Sequence, residues 1–71
     1  MPHYPILEPR EIIMALSKRG FRLKSQRGSH AKYTNGKHTT TIPMKKTVSA
    51  GTLKSILKQV DMTLEEFMKY L

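Results

Sequence analysis

The stretch Phe21–Pro43, FRLKSQRGSHAKYTNGKHTTTIP, decides the fold. Phe21–Ser25 alternates apolar and polar or basic side chains, the period of a strand with one wet face. Gln26-Arg27-Gly28-Ser29 reads as a turn, and His30–Thr34 as a second short strand. Asn35-Gly36 is a strong two-residue hairpin signal, because both residue types tolerate the positive φ that such a turn demands. Lys37–Ile42 is a third strand, rich in β-branched side chains, and Pro43, which has no amide to offer a ladder, ends it. Turns this short join antiparallel neighbours, so a three-stranded meander is expected. In that phase Lys32 shares a strand face with His30, although a bulge after Gly28 would move His30 to the opposite side.

Working outward, Glu8-Pro9-Arg10-Glu11 begins a helix, with proline where a missing amide costs nothing and acids near the positive end of the dipole. Ile12, Ile13 and Leu16 form its apolar stripe. Lys18 and Arg19 suit the final turn, and Gly20 suits the left-handed stop, with Leu16 and Phe21 placed to touch across it, so the helix is expected over about residues 9–19. Past the strands, Met44–Val48 is a loop and Ser49 an N-cap for a helix over about residues 50–60 carrying Leu53, Ile56, Leu57 and Val60. Thr63-Leu64-Glu65-Glu66 fits a capping box, with Met62 and Phe67 as its hydrophobic staple, and starts a last helix expected to bury Leu64, Phe67 and Leu71. The expected fold is α+β in the order α-β-β-β-α-α, a three-stranded antiparallel sheet with helices packed on one face. The other face is left for a ligand or partner.

With 71 residues, the chain is expected to form a single domain over 1–71, residues 1–8 being a flexible N-terminal segment. Apolar residues make up 38% and charged residues 25%, enough for a small core and against wholesale disorder. The absence of cysteine removes disulfides, thiolate metal sites and cysteine nucleophiles. The longest apolar run, Ile12–Leu16, is far short of the ~18–20 residues that cross a bilayer, and no secretory signal pattern is seen, so a soluble cytoplasmic protein is expected.

Charge narrows the function. Thirteen Lys or Arg face five Asp or Glu, a net +8, and no acid lies between Glu11 and Asp61. All the bases except Arg10 and Lys69 fall in that interval. Such a one-sided field favours a polyanion, and because the bases spread over several elements rather than one amphipathic helix, nucleic acid is expected and a membrane surface is not.

Among the three histidines, His3 lies in an unpatterned start and His38 follows the Asn-Gly turn, where a solvated role is ordinary. His30 directly follows Arg27-Gly28-Ser29. Those residues suit an RNA phosphodiester: Gly28 permits close backbone approach, Ser29 can donate a hydrogen bond, lysines hold the phosphate, and His30 moves a proton. The ribose 2′-hydroxyl is its own nucleophile, so nothing further is required of the protein. The competing reading of His30 is a hairpin histidine bonded to backbone. Tyr33 reads as a core residue before a base-stacking one. Neither zinc spacing, a carboxylate cage, a phosphate loop nor a Ser-His-Asp set is present, so no metal and no small-molecule cofactor is expected.

Taken together, Lys18-Arg19-Gly20-Phe21, the Gly28-Ser29-His30 turn, Thr41-Ile42-Pro43 and the run Gly51–Gln59 resemble the HicA (YcfA-like) toxin family of bacterial and archaeal toxin–antitoxin systems, over nearly the whole chain. The resemblance implies a double-stranded-RNA-binding-domain-like fold and a ribosome-independent mRNA interferase, held inactive by a HicB-type antitoxin that covers its active site. It puts the essential histidine at His30, with Gly28 and Ser29 as motif positions. The expected RNA contacts are Lys24, Arg27, Gly28, Ser29, Lys32, Lys45 and Lys46, and the expected partners are mRNA and the antitoxin. Many members carry a second histidine after the strand-ending proline, where this chain reads Pro43-Met44-Lys45-Lys46. The alternatives are a non-catalytic RNA-binding module of the same fold and, third, a basic domain that docks an acidic protein.

Overall fold

The computed structural model describes residues 3–71. Glu8, in extended conformation, caps helix α1 (Pro9–Ser17), with Pro9 in the first turn and Ile12, Ala15 and Leu16 buried. The helix stops two residues before the expected end. Gly20, at φ +83°, lets its own amide reach the Ser17 carbonyl (3.1 Å) and the Phe21 amide reach the Leu16 carbonyl (3.1 Å), so residues 18–20 form the closing turn.

Three strands follow, β1 (Arg22–Arg27), β2 (His30–Thr34) and β3 (Thr39–Pro43), in one antiparallel sheet of order β1-β2-β3. Both turns differ from expectation. Gln26 and Arg27 continue β1 and pair with Ala31 and His30, which leaves a two-residue turn of Gly28 and Ser29. Gly28 stands at φ +58° with open space around it, as a turn of that length needs at its first central position. The second connection is four residues long, because Thr34 pairs with Thr39. Asn35 explains the lengthening: its Oδ1 accepts hydrogen bonds from the Lys37 (2.9 Å) and His38 (2.7 Å) amides, which withdraws both from the ladder.

Helix α2 (Ala50–Gln59) starts at Ser49, whose hydroxyl accepts from the Thr52 amide, and α3 (Leu64–Met68) starts at the Thr63/Glu66 capping box. Ile12, Leu16, Ile42, Val48, Leu53, Ile56 and Phe67 are sealed from solvent, so α1, α2, α3, β3 and the loop before α2 share one core. Ala31, Tyr33, Thr40 and Ile42 are the strand residues turned toward it, Tyr33 only half-buried. Thr40, the one buried polar residue of this core, donates to Gln59 Oε1 at 2.6 Å and so ties β3 to α2. This is the double-stranded-RNA-binding-domain-like α+β arrangement, with helices on one side of the sheet.

Three features qualify the expected core. The helices do not extend over the edge strand β1, so every one of its residues is exposed and Leu23 retains 50% of its surface. Leu71 is 48% exposed rather than buried, because the chain after α3 is held instead by Tyr70. Lys18 Nζ donates to the Tyr70 carbonyl (3.1 Å), and the Arg19 guanidinium donates to the Tyr70 hydroxyl (3.2 Å); the latter bond raises the Arg19 pKa. Of the expected N-terminal segment, residues 1 and 2 lie outside the described residues, while Leu7 is buried and its carbonyl accepts from the Val48 amide. No helix among the described residues is long and apolar enough to cross a membrane.

Candidate nucleic-acid interface and catalytic site

Because Ala31 faces the helices, its neighbours His30 and Lys32 face away from them. The bulge does not fall after Gly28. It falls in β1, where the register shifts between Leu23 and Ser25 and Lys24 is the extra residue. In an unbroken strand Arg22 and Ser25, three apart, would point to opposite faces; the extra residue puts them on the same one. Three rows then cross the open face: Arg27, His30 and Pro43; Ser25, Lys32 and Thr41; Arg22, Thr34 and Thr39.

The first two rows border a depression of about 480 Å³, lined by Ser25, Gln26, Arg27, His30, Lys32 and Thr41. No carboxylate lines it. The Gly28-Ser29 turn, which joins the lining residues Arg27 and His30, is fixed from two directions: the Gln26 amide group donates to the Gly28 carbonyl (3.3 Å), and the Met44 amide donates to the Ser29 carbonyl (2.6 Å). The side-chain hydrogen bonds of the two turns run through Gln26, Thr34 and Asn35, and His30 takes part in none of them. Its imidazole is exposed on the depression, not tied to backbone. What such a site can do chemically follows: two fixed cations attract a phosphate, hydroxyls of Ser25 and Thr41 can hydrogen-bond it, and one imidazole can exchange a proton with it.

Of the residues singled out from sequence, Arg27, His30 and Lys32 converge on this depression; Gly28 and Ser29 connect Arg27 to His30 and do not line it. Lys24 occupies the bulge. Lys45 lies elsewhere, lining a neighbouring depression with Pro43, Ser49 and Thr52, and Lys46 is exposed in the same loop without lining either. Ser25, Gln26 and Thr41 were not singled out. Thr41 was hidden by loop length, since a two-residue turn would have set Thr39 opposite Lys32; the four-residue loop sets Thr41 there. His3 is exposed, and half-buried His38 sits in the far loop, neither of them on the depression. Tyr33 is half-buried against the core. Among the described residues no three His, Asp or Glu side chains come together in a way that could hold a metal ion.

The fold and the bare basic face define a small α+β domain of the double-stranded-RNA-binding-domain type. A family model for the HicA toxin of bacterial toxin–antitoxin systems matches residues 9–62, most of the chain, and the chain belongs to that family as a toxin. No curated protein matches it.

Proposed function

We propose that this toxin is an mRNA interferase in which the Arg27–Lys32 depression binds the scissile phosphodiester and His30 transfers the proton, and that a HicB-type antitoxin neutralises it by covering the open sheet face. The observation that carries the reading is the position of His30: an exposed imidazole with no side-chain hydrogen bond among the described residues, on an acid-free depression, flanked by Arg27 in its own row and Lys32 in the next. Family membership supports both the RNA substrate and the existence of an antitoxin.

The 2′-hydroxyl oxygen attacks the adjacent phosphorus, the bond from phosphorus to the 5′ oxygen breaks, and a 2′,3′-cyclic phosphate and a free 5′-hydroxyl result. His30 takes the 2′-hydroxyl proton as base or delivers one to the departing 5′ oxygen as acid. Arg27 and Lys32 oppose the charge that builds on the non-bridging oxygens, and the Ser25 and Thr41 hydroxyls are placed to donate to them. Lys45 and Lys46 do not replace the histidine found after the proline in many members, because neither lines the depression that holds His30.

The test is to incubate the purified protein with an mRNA transcript in excess EDTA. Fragments accumulate at the rate seen without chelator, since no step requires a metal. A protein that bound the transcript with salt-sensitive affinity and left it intact would be the non-catalytic module instead.

A further inference from the structure

The third row of the open face, Arg22, Thr34 and Thr39, plays no part in the proton chemistry. Its composition nonetheless continues that of the other two. Each row carries cationic groups: Arg27 in the first, Lys32 in the second, Arg22 in the third. This sequence of charges exists only because of the Lys24 bulge, without which Arg22 would share a face with the helices. Arg22 is exposed, and the ion pairs found among the described residues join Arg10 to Glu8 and Arg19 to Glu66, so no carboxylate neutralises it. The two threonines beside it are already bonded to each other, Thr39 Oγ1 to Thr34 Oγ1 at 3.1 Å, and Thr34 also donates to the His38 carbonyl and accepts from the Gly36 amide. They form a fixed polar floor, and the guanidinium is the free group of the row.

We propose that Arg22 forms a second phosphate subsite, and that the RNA strand lies along β2 from His30 toward Thr34. The proposal rests on the RNA-cleaving reading and adds the path of the substrate. Four strand steps separate His30 from Thr34, about 13 Å at ~3.3 Å per residue. A stacked single strand rises ~3.4 Å per nucleotide, so roughly four nucleotides reach from one end to the other, and fewer if extended. No tyrosine or phenylalanine stands on this face: Tyr33 is turned to the core, Tyr4 and Tyr70 pack against it, and Phe21 and Phe67 are buried. The strand is therefore held by its phosphates rather than by stacking of its bases.

The experiment measures binding of an uncleavable 2′-O-methyl decanucleotide by fluorescence anisotropy across a salt series, for wild type, Arg22→Gln and a charge-matched control, Lys54→Gln, on the exposed side of α2. Each phosphate contact to a single strand contributes about 0.7 to the slope of log affinity against log salt. R22Q is expected to flatten the slope by about 0.7 and weaken binding several-fold at low salt, while K54Q stays near wild type. If R22Q and K54Q behave alike, the subsite is refuted. Cleavage of an all-ribose decanucleotide by wild type is followed in parallel. Cleavage without an Arg22 effect overturns the subsite and leaves the nuclease standing. An Arg22-dependent slope without cleavage supports the subsite and overturns the nuclease.

Discussion

His30→Ala is expected to slow single-turnover cleavage of RNA by about 10²–10⁴-fold, the usual span for losing a positioned acid or base. Affinity for RNA and the melting temperature should change little. The separation follows from where the ring sits. Its imidazole is exposed, engages in none of the hydrogen bonds of the neighbouring turns, and lies outside the core, so its loss falls in the range of an ordinary surface change, about ±0.5 kcal/mol. Arg27 and Lys32 remain to hold phosphate. Rate and affinity should therefore part company, the rate collapsing while the anisotropy titration barely moves. Equal cleavage by His30→Ala and wild type would remove the imidazole from the mechanism.

Phe67→Ala carries the largest expected effect on stability. Phe67 is fully buried between the helices and is fixed by the capping box that starts α3. Truncating a buried phenylalanine costs about 3–5 kcal/mol through lost burial and the cavity left behind. Domains of this size hold only about 0.05–0.15 kcal/mol per residue, or roughly 4–10 kcal/mol for 71 residues, so one substitution removes a large share. Urea denaturation should show the midpoint falling by roughly 3–5 M at an m-value of about 1 kcal/mol/M. A loss below about 1 kcal/mol would mean that α3 is not part of the cooperative core.

Elements whose signals are local are legible in the sequence. The Schellman ending at Gly20, the Ser49 cap and the Thr63/Glu66 box depend on residues within one or two turns of each other, and each is found with its bonds in place. Cross-strand features were not legible. Asn35 and Gly36 do mark a turn, but the Asn35 side chain claims two further amides and lengthens it, which no dipeptide rule conveys. The Lys24 bulge depends on how Leu23 and Ser25 meet β2, and it alone decides that Arg22 joins the open face. The candidate site divides the same way. Arg27, His30 and Lys32 can be grouped from a short turn and a period of two, whereas Ser25 joins them only because that turn is two residues long and sets it opposite Lys32, and Thr41 only through the length of the Asn35 loop. Lys45 and Lys46 were marked by charge alone, and charge does not specify direction.

Attack by the 2′-hydroxyl is the step on which the mechanism depends, and it can be probed one linkage at a time. A short RNA containing a mapped cleavage position is prepared twice, once all-ribose and once with a single 2′-O-methyl group on the nucleotide 5′ to that linkage, and the product ends are analysed by mass spectrometry. The all-ribose strand should yield a 2′,3′-cyclic phosphate and a 5′-hydroxyl, and the methylated strand should remain whole at that position. Scission through the blocked linkage, or products ending in a 5′-phosphate, would contradict the account.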